Sequence, residues 1–375
     1  MYVYDEYDQK IVDERVAQYR DQTQRFLDGK LSEDQFLPLR LQNGLYVQRL
    51  APMLRVAVPY GLMNTQQLRK IAQLSRDYDK GYVHISTRQN IQFNWPQLAE
   101  VPDMLAELAS VQMHAIQTSG NCIRNTTTDQ FAGVATDELE DPRPWCEIIR
   151  QWSTLHPEFA FLPRKFKIAV CASAEDRAAI HSHDIGVEVV HNSAEETGFR
   201  VVVGGGLGRT PVIGVEICDY LPAQHLLTYL EAILRVYNQH GRRDNKYKAR
   251  IKILVKAMGI DAFREAVEKE WAPLKDGPST LTETEIQRAR SFFTAPDYAN
   301  LDPNACESAL QAKCDSDPVF GNWVKRNTVA HRVAGYRIVN VSLKATGYAP
   351  GDVTDKQLEL IADLADAFSF GEVRS

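Results

Sequence analysis

At 375 residues, with 44% hydrophobic and 25% charged residues, the chain has the composition of an ordinary globular protein and length for about two to three domains, which excludes a single small module and a disordered chain. Its formal net charge of −6 offers no whole-chain attraction to nucleic acid, and it has no low-complexity tract and no run of about 18 apolar residues able to cross a bilayer. The acidic start Met1-Tyr2-Val3-Tyr4-Asp5 lacks the basic-then-apolar pattern of an export signal, and the six cysteines are scattered without a C-x2-C pair, so a cytoplasmic protein with free thiols is expected.

Residues 1–50 read as an N-terminal arm: a helical stretch from Asp13 to Phe26, Gly29, and a second short helix for which Ser32 is the N-cap. Residues 51–118 form the first strong unit, with a strand Met53 to Val58, a Pro59/Gly61 turn, a helix Thr65 to Tyr78, and a strand Tyr82 to Ser86 continuing to Phe93. In residues 119–294 the pattern predicts strands at Arg164 to Ala172 and Phe199 to Val203, a helix Pro222 to His240 ending at Gly241, and a helix from about Lys248 to Met258 before Gly259. The stretch Ala295 to Asp317 is polar with two prolines, so 295–329 reads as a linker before the last unit, 330–375.

That last unit repeats the first. Gln67-Leu68, Ile71-Ala72, Leu74 and Gly81 return as Gln357-Leu358, Ile361-Ala362, Leu364 and Gly371, each displaced by 290 positions; Val83 returns as Val373 and Tyr78 as Phe368. The strand before the helix recurs as Ile338 to Leu343. Apolar residues at helical spacing recur by chance, but here the flanking strands recur as well. The second copy stops at Ser375, the equivalent of Ile85 in mid-strand, so it is expected to be incomplete, and the sequence a fragment or an incomplete reading frame.

Polar residues gather in several places. If 82–94 is one alternating strand, His84, Ser86, Arg88, Asn90, Gln92 and Asn94 share a face that carries no Lys or Glu and is rich in fixed-geometry donors; a merely solvated face is the competing explanation. Lys165 and Lys167 fall on one face of the Arg164 strand, either as charges guarding a sheet edge or as a pair awaiting an anion. Gly204-Gly205-Gly206-Leu207-Gly208 follows an apolar strand and suits close backbone approach to a ligand or a plain turn; Arg209 stands where a dinucleotide fingerprint needs its last glycine. The run Arg242 to Lys252 holds six cations and one anion, the usual mark of a solvated or polyanion-binding segment. Arg124 lies in a loop of small and hydroxyl-bearing residues whose backbone N–H groups could face an anion.

Taken in order, Asn43-Gly44-Leu45-Tyr46, Met53-Leu54-Arg55-Val56, Thr87-Arg88-Gln89-Asn90-Ile91-Gln92, Arg124-Asn125, Leu162-Pro163-Arg164-Lys165-Phe166-Lys167 and Val203-Gly204-Gly205-Gly206-Leu207 resemble the nitrite/sulfite reductase haemoprotein family. The resemblance implies an α+β fold with two ferredoxin-like half-domain repeats around a central α/β siroheme-binding lobe, the second half incomplete here. It implies six-electron reduction of sulfite to sulfide in sulfur assimilation, or of nitrite to ammonia, with electrons from ferredoxin or a flavoprotein reductase. By position, Arg55, Arg124, Lys165 and Lys167 would hold the oxyanion. Ser86, Arg88, Gln92, Asn94, Gly204, Gly205, Gly206, Arg242, Arg250 and Lys252 would contact siroheme, while His84 and Asn94 depart from the residue types associated with their positions. The family's [4Fe–4S] cluster needs four cysteines spaced as C-x5-C and later C-x3-C, and no cysteine of this sequence fits. The other readings are a non-catalytic siroheme- or anion-binding fragment and a nucleic-acid binder using the Arg242 to Lys252 run; neither nucleic acid nor membrane is an expected partner.

Overall fold

A computed structural model describes residues 2–49 and 51–375. Helix α1 (Glu6–Leu27) begins well before the expected Asp13, because the Asp5 carboxylate accepts the N–H groups of Tyr7 and Asp8 and two acids occupy its first turn. Helix α2 (Glu33–Gln42) starts at Ser32 as expected, closed by a reciprocal capping box with Gln35. Fully buried Tyr19 and Phe36 stack and fix both helices to the core beneath them.

The first half follows as β1 (Leu45–Val47), β2 (Pro52–Val56), β3 (Leu62–Asn64), α3 (Thr65–Tyr78), β4 (Tyr82–Ile85), β5 (Ile91–Phe93) and α4 (Val101–Ala109). Leu68, Ile71, Ala72 and Leu74 form the buried stripe of α3, packed with Met104, Leu105 and Leu108 of α4. One expectation fails: 82–94 is a hairpin, not a continuous strand. Gln89 takes φ 60°, the Ser86 N–H donates to the Asn90 carbonyl at 2.8 Å, and His84 faces Gln92 across the two arms. The predicted single face of His84, Ser86, Arg88, Asn90, Gln92 and Asn94 therefore does not exist, since a polar turn between short strands preserves the alternation by accident.

The central region comprises α5 (Arg143–Ser153), β6 (Ile168–Cys171), β7 (Ile185–His191), β8 (Thr197–Val203), β9 (Val215–Pro222), α6 (Leu226–His240), α7 (Ile251–Met258), α8 (Ile260–Trp271) and α9 (Glu283–Ser291). Its sheet runs β6-β7-β8-β9, parallel at β6/β7 and antiparallel beyond. Phe166, Val170, Val187, Phe199, Val201, Tyr229, Ile233 and Tyr237 are at its buried centre. The strand expected from Arg164 is confined to β6, and the run before it forms a lone bridge between Phe166 and Ile123. Both expected helices start later, because Pro222 completes β9 and Arg250 is the extended N-cap of α7.

The expected linker carries two helices, α10 (Pro303–Ser316) and α11 (Pro318–Asn327), capped by Asp302 and Asp317. Beyond it β10 (Thr328–Ala330) pairs with β11 (Arg337–Val339), a shorter strand than the predicted Ile338 to Leu343. The chain then forms β12 (Asp352–Thr354), α12 (Asp355–Phe368) and β13 (Glu372–Arg374).

Displacement by 290 maps β3, α3 and β4 onto β12, α12 and β13, and the two copies pair with each other reciprocally. His84 pairs with Asp352 as Arg374 pairs with Leu62. The Thr65 N–H donates to the Gly371 carbonyl at 3.1 Å and the Asp355 N–H to the Gly81 carbonyl at 3.0 Å. The Ile85 N–H donates to Gly351 and the Ser375 N–H to Gly61, both at 2.8 Å. Even the capping boxes correspond, Asn64 with Gln67 and Thr354 with Gln357. The repeat is thus a local pseudo-twofold, and β12 extends the first sheet to the order β1-β2-β5-β4-β12.

Candidate oxyanion and cofactor site

Cationic side chains from both regions converge where the first sheet meets the central lobe. Arg55 on β2 lies opposite Gln92 on β5, whose side-chain oxygen accepts from Nε at 3.0 Å and also from Nη2, and the guanidinium sits over the Tyr46 ring, 5.2 Å from its centroid. Arg124 is buried; its guanidinium donates to the Thr118 and Gly120 carbonyls at 2.7 Å each and to the Tyr46 hydroxyl at 3.2 Å, so neutral groups hold it and its charge is uncancelled. Arg88 leaves the β4–β5 turn and donates through Nη2 to the Asn125 carbonyl at 2.6 Å, while Nη1 is buried without a partner among the described residues.

Lys165 and Lys167 precede β6. Burial first, then the charges of Arg124 and Arg250, push the Lys165 ammonium down to about 8. Burial, then Arg88, Arg250 and Lys165, push Lys167 down to about 7 against the pull of Asp184. Arg88 is pushed down to about 9 by burial, helped by Arg124 and Arg250. These groups feel one another as an under-compensated cationic cluster.

One carboxylate sits among them. Asp184, fully buried just before β7, accepts Arg250 Nη2 at 2.6 Å and Nε at 2.9 Å on one oxygen and the Lys167 backbone N–H at 2.9 Å on the other. Lys252, the second residue of α7, donates to the Thr210 carbonyl at 2.6 Å beside the glycine turn. Those glycines are needed for contact with the chain itself. A Cβ on Gly205 would lie 2.3 Å from the His181 carbonyl oxygen, and one on Gly206 would lie 3.1 Å from Lys252 Cδ and 3.2 Å from Arg250 Nη2, while Gly204 has φ +77°.

Of the residues selected from sequence, Arg55, Arg88, Gln92, Arg124, Lys165, Lys167, Gly204, Gly205, Gly206, Arg250 and Lys252 come together in this way. Ser86 serves the hairpin, its hydroxyl accepting the Asn90 N–H at 3.3 Å. Asn94, just beyond β5, lines a shallow cavity of about 450 Å³ with Tyr82, Trp95 and Arg49. His84 hydrogen-bonds Asp352 through Nδ1 at 2.9 Å. Arg242 is exposed and paired with Asp244 at 2.5 Å, because 242–248 is a surface turn rather than helix, so the basic run divides into a solvated half and the inward-facing Arg250 and Lys252. Sequence reasoning missed Asp184 and gave Tyr46 no role; a lone acid before an apolar strand, in His183-Asp184-Ile185, is a faint signal.

The six cysteines are free, and among the described residues no three His, Cys, Asp or Glu side chains are grouped to hold a metal ion. Among the same residues no helix is long and apolar enough to cross a membrane.

Two half-domain units that pair with each other beside a central lobe carrying buried arginines and lysines define an α+β protein. Residues 48–111 match the family described as "Nitrite/Sulfite reductase ferredoxin-like half domain" and residues 119–274 that described as "Nitrite and sulphite reductase 4Fe-4S domain". The chain belongs to the nitrite and sulfite reductase family. It is 30% identical over 271 residues to a protein named ferredoxin sulfite reductase 1 of Mycolicibacterium paratuberculosis, covering 70% of this chain and 48% of that one. It is 30% identical over 254 residues to the chloroplastic ferredoxin–nitrite reductase of Arabidopsis thaliana, covering 65% and 43%. The fold is similar to that of the Mycobacterium tuberculosis NirA protein, with TM-score 0.71, 24% identity, and coverage of 92% of this chain and 59% of that one. The chain spans about half the length of the curated relatives it matches.

Proposed function

We propose that this chain binds siroheme and a small oxyanion as part of a cytoplasmic sulfite or nitrite reductase, with Arg55, Arg124, Lys165 and Lys167 holding the oxyanion. The observation that carries the reading is geometric: Arg88 Nη1 is buried without a partner among the described residues, buried Arg124 is held by neutral oxygens, and the one carboxylate described among these cations, Asp184, is taken up by Arg250. A site that keeps this many cations out of water is stabilised when a polyanion enters it.

Siroheme carries eight carboxylates, and the unpartnered Nη1 of Arg88 with the neighbouring Arg250 and Lys252 suits them chemically. When bound, with the family's iron–sulfur cluster, it would supply the iron site and the electrons for six-electron reduction, drawn from ferredoxin or a flavoprotein reductase. The chain's own side chains do the rest. Arg55 and Arg124, already oriented by Gln92, Tyr46 and backbone carbonyls, attract and orient the anion without reorganising. Lys165 and Lys167 hold their Nζ protons weakly at neutral pH, so they both neutralise the anion and donate protons to its oxygens as reduction proceeds.

The test is to load the purified chain with siroheme and record the visible spectrum with and without sulfite and nitrite. The expected result is a stoichiometric haem spectrum that shifts with either anion and is lost in a K165M/K167M double variant. A chain that takes up no siroheme sinks the proposal; uptake without turnover when an electron donor is supplied favours a binding fragment.

A further inference from the structure

We propose that Asp184 is the positioning residue that sets the charge of the cationic site: its carboxylate fixes Arg250 and the Lys167 backbone and keeps the neighbouring lysines protonated. The proposal rests on the reading of this site as an anion-binding one. Asp184 joins three segments distant in sequence. Besides Arg250 at the α7 N-cap and the Lys167 N–H before β6, its own carbonyl accepts the N–H of Gly204 at 3.0 Å, at the glycine turn after β8. The side chain makes two of these ties and the backbone the third.

A neutral amide, with one acceptor oxygen, could keep either the Arg250 pair or the Lys167 N–H but not both; the negative charge needs a further reason as well, because burying it is costly. The groups packed round Asp184 provide one. Lys167 faces it from the segment before β6, Arg88 from the β4–β5 turn, and Arg250 and Lys252 from the start of α7. From the remaining sides come His183, held neutral by burial with its ring nitrogen on the Ala179 carbonyl at 2.8 Å, and Tyr237 of α6, whose hydroxyl donates to Ala249 at 2.8 Å. Burial pushes the Asp184 carboxyl up and Arg250 opposes this; a guanidinium contact at 2.6 Å favours the ionised form. Removing that charge has opposite effects at the two ends of the pH range. Where all the lysines are protonated, Asp184 only subtracts from the attraction for an incoming anion. Where they are losing protons, Asp184 is what retains them.

The experiment compares wild type and Asp184→Asn by calorimetric titration with sulfate, whose charge is constant from about pH 6 to 9, and follows the Lys167 side-chain carbon by NMR titration without anion. The expected result is a crossing: Asp184→Asn binds sulfate about threefold more tightly near pH 6 and about tenfold more weakly near pH 8.5, with the Lys167 midpoint lowered by about one unit. A structural tie alone would weaken binding at every pH; parallel profiles, or an unmoved Lys167 midpoint, overturn the proposal. If wild type binds no sulfate, the anion-site reading fails, while the Lys167 midpoint still decides the role of Asp184. If Asp184→Asn does not fold, the wild-type Asp184 carboxyl carbon decides: ionised throughout this range supports the proposal, protonated near pH 6 overturns it.

Discussion

Gln92 accepts both the Nε and the Nη2 of Arg55 from the neighbouring strand, so an uncharged amide fixes the direction of a guanidinium whose charge it leaves intact. A carboxylate there would hold the same geometry and cancel the charge. Gln92→Glu is therefore expected to weaken sulfite binding about tenfold, about 1.4 kcal/mol, while urea unfolding stays within about 0.5 kcal/mol of wild type. Equal losses in affinity and stability would contradict it.

The lysines also give the apo chain a pH-dependent stability. Lys167 and Lys165 have folded values of about 7 and 8, below the roughly 10.4 of an unfolded lysine. Between these values the unfolded chain binds more protons, so stability rises as pH increases from about 6 to about 9. Lys167→Met should flatten that rise and stabilise the apo chain at about pH 6 by about 1–3 kcal/mol, read from urea unfolding at both pH values.

The divided basic run predicts unequal effects of removing two arginines. Arg250 is largely buried against Asp184, whereas Arg242 is half exposed and engaged only with Asp244 among the contacts described for its side chain. Arg250→Ala is expected to lower sulfate affinity more than about tenfold and Arg242→Ala less than about twofold. Calorimetric titration near pH 7 measures both, and a large Arg242 effect would extend the site to the surface turn.

Pseudo-symmetric positions need not be energetically alike. Leu74 of α3 is fully buried under α4, whereas its counterpart Leu364 on α12 is 49% exposed, in line with exposed Leu360 and Phe368. Leu74→Ala should cost about 2–4 kcal/mol and Leu364→Ala less than about 1 kcal/mol in chemical unfolding.

What the sequence revealed follows the range of the interactions involved. Helix α3 was readable at both ends, because its apolar stripe is periodic, a polar cap at Asn64 opens it and an αL glycine, Gly81, follows three residues past its end. The repeat was readable because helix stripes and turn glycines are local. The hairpin at Ser86 to Asn90 was hidden, since Gln89 adopts a left-handed conformation that its residue type does not announce. Of the site, the cations were found through the order of their motifs, but their convergence was not. Asp184 is joined to Arg250 across 66 positions, a separation no spacing rule reaches.

The reciprocal pairing of the two copies has a kinetic consequence. Strands β3 and β4 are finished early in synthesis, yet their edge partners are β13 and β12, almost at the other end of the chain. At about 5–20 residues per second, the roughly 270 residues between His84 and Asp352 take roughly 15–50 s to make. Throughout that time the first half exposes strand edges that its own residues cannot close, a long-range closure that folds slowly and invites mispairing with other nascent chains.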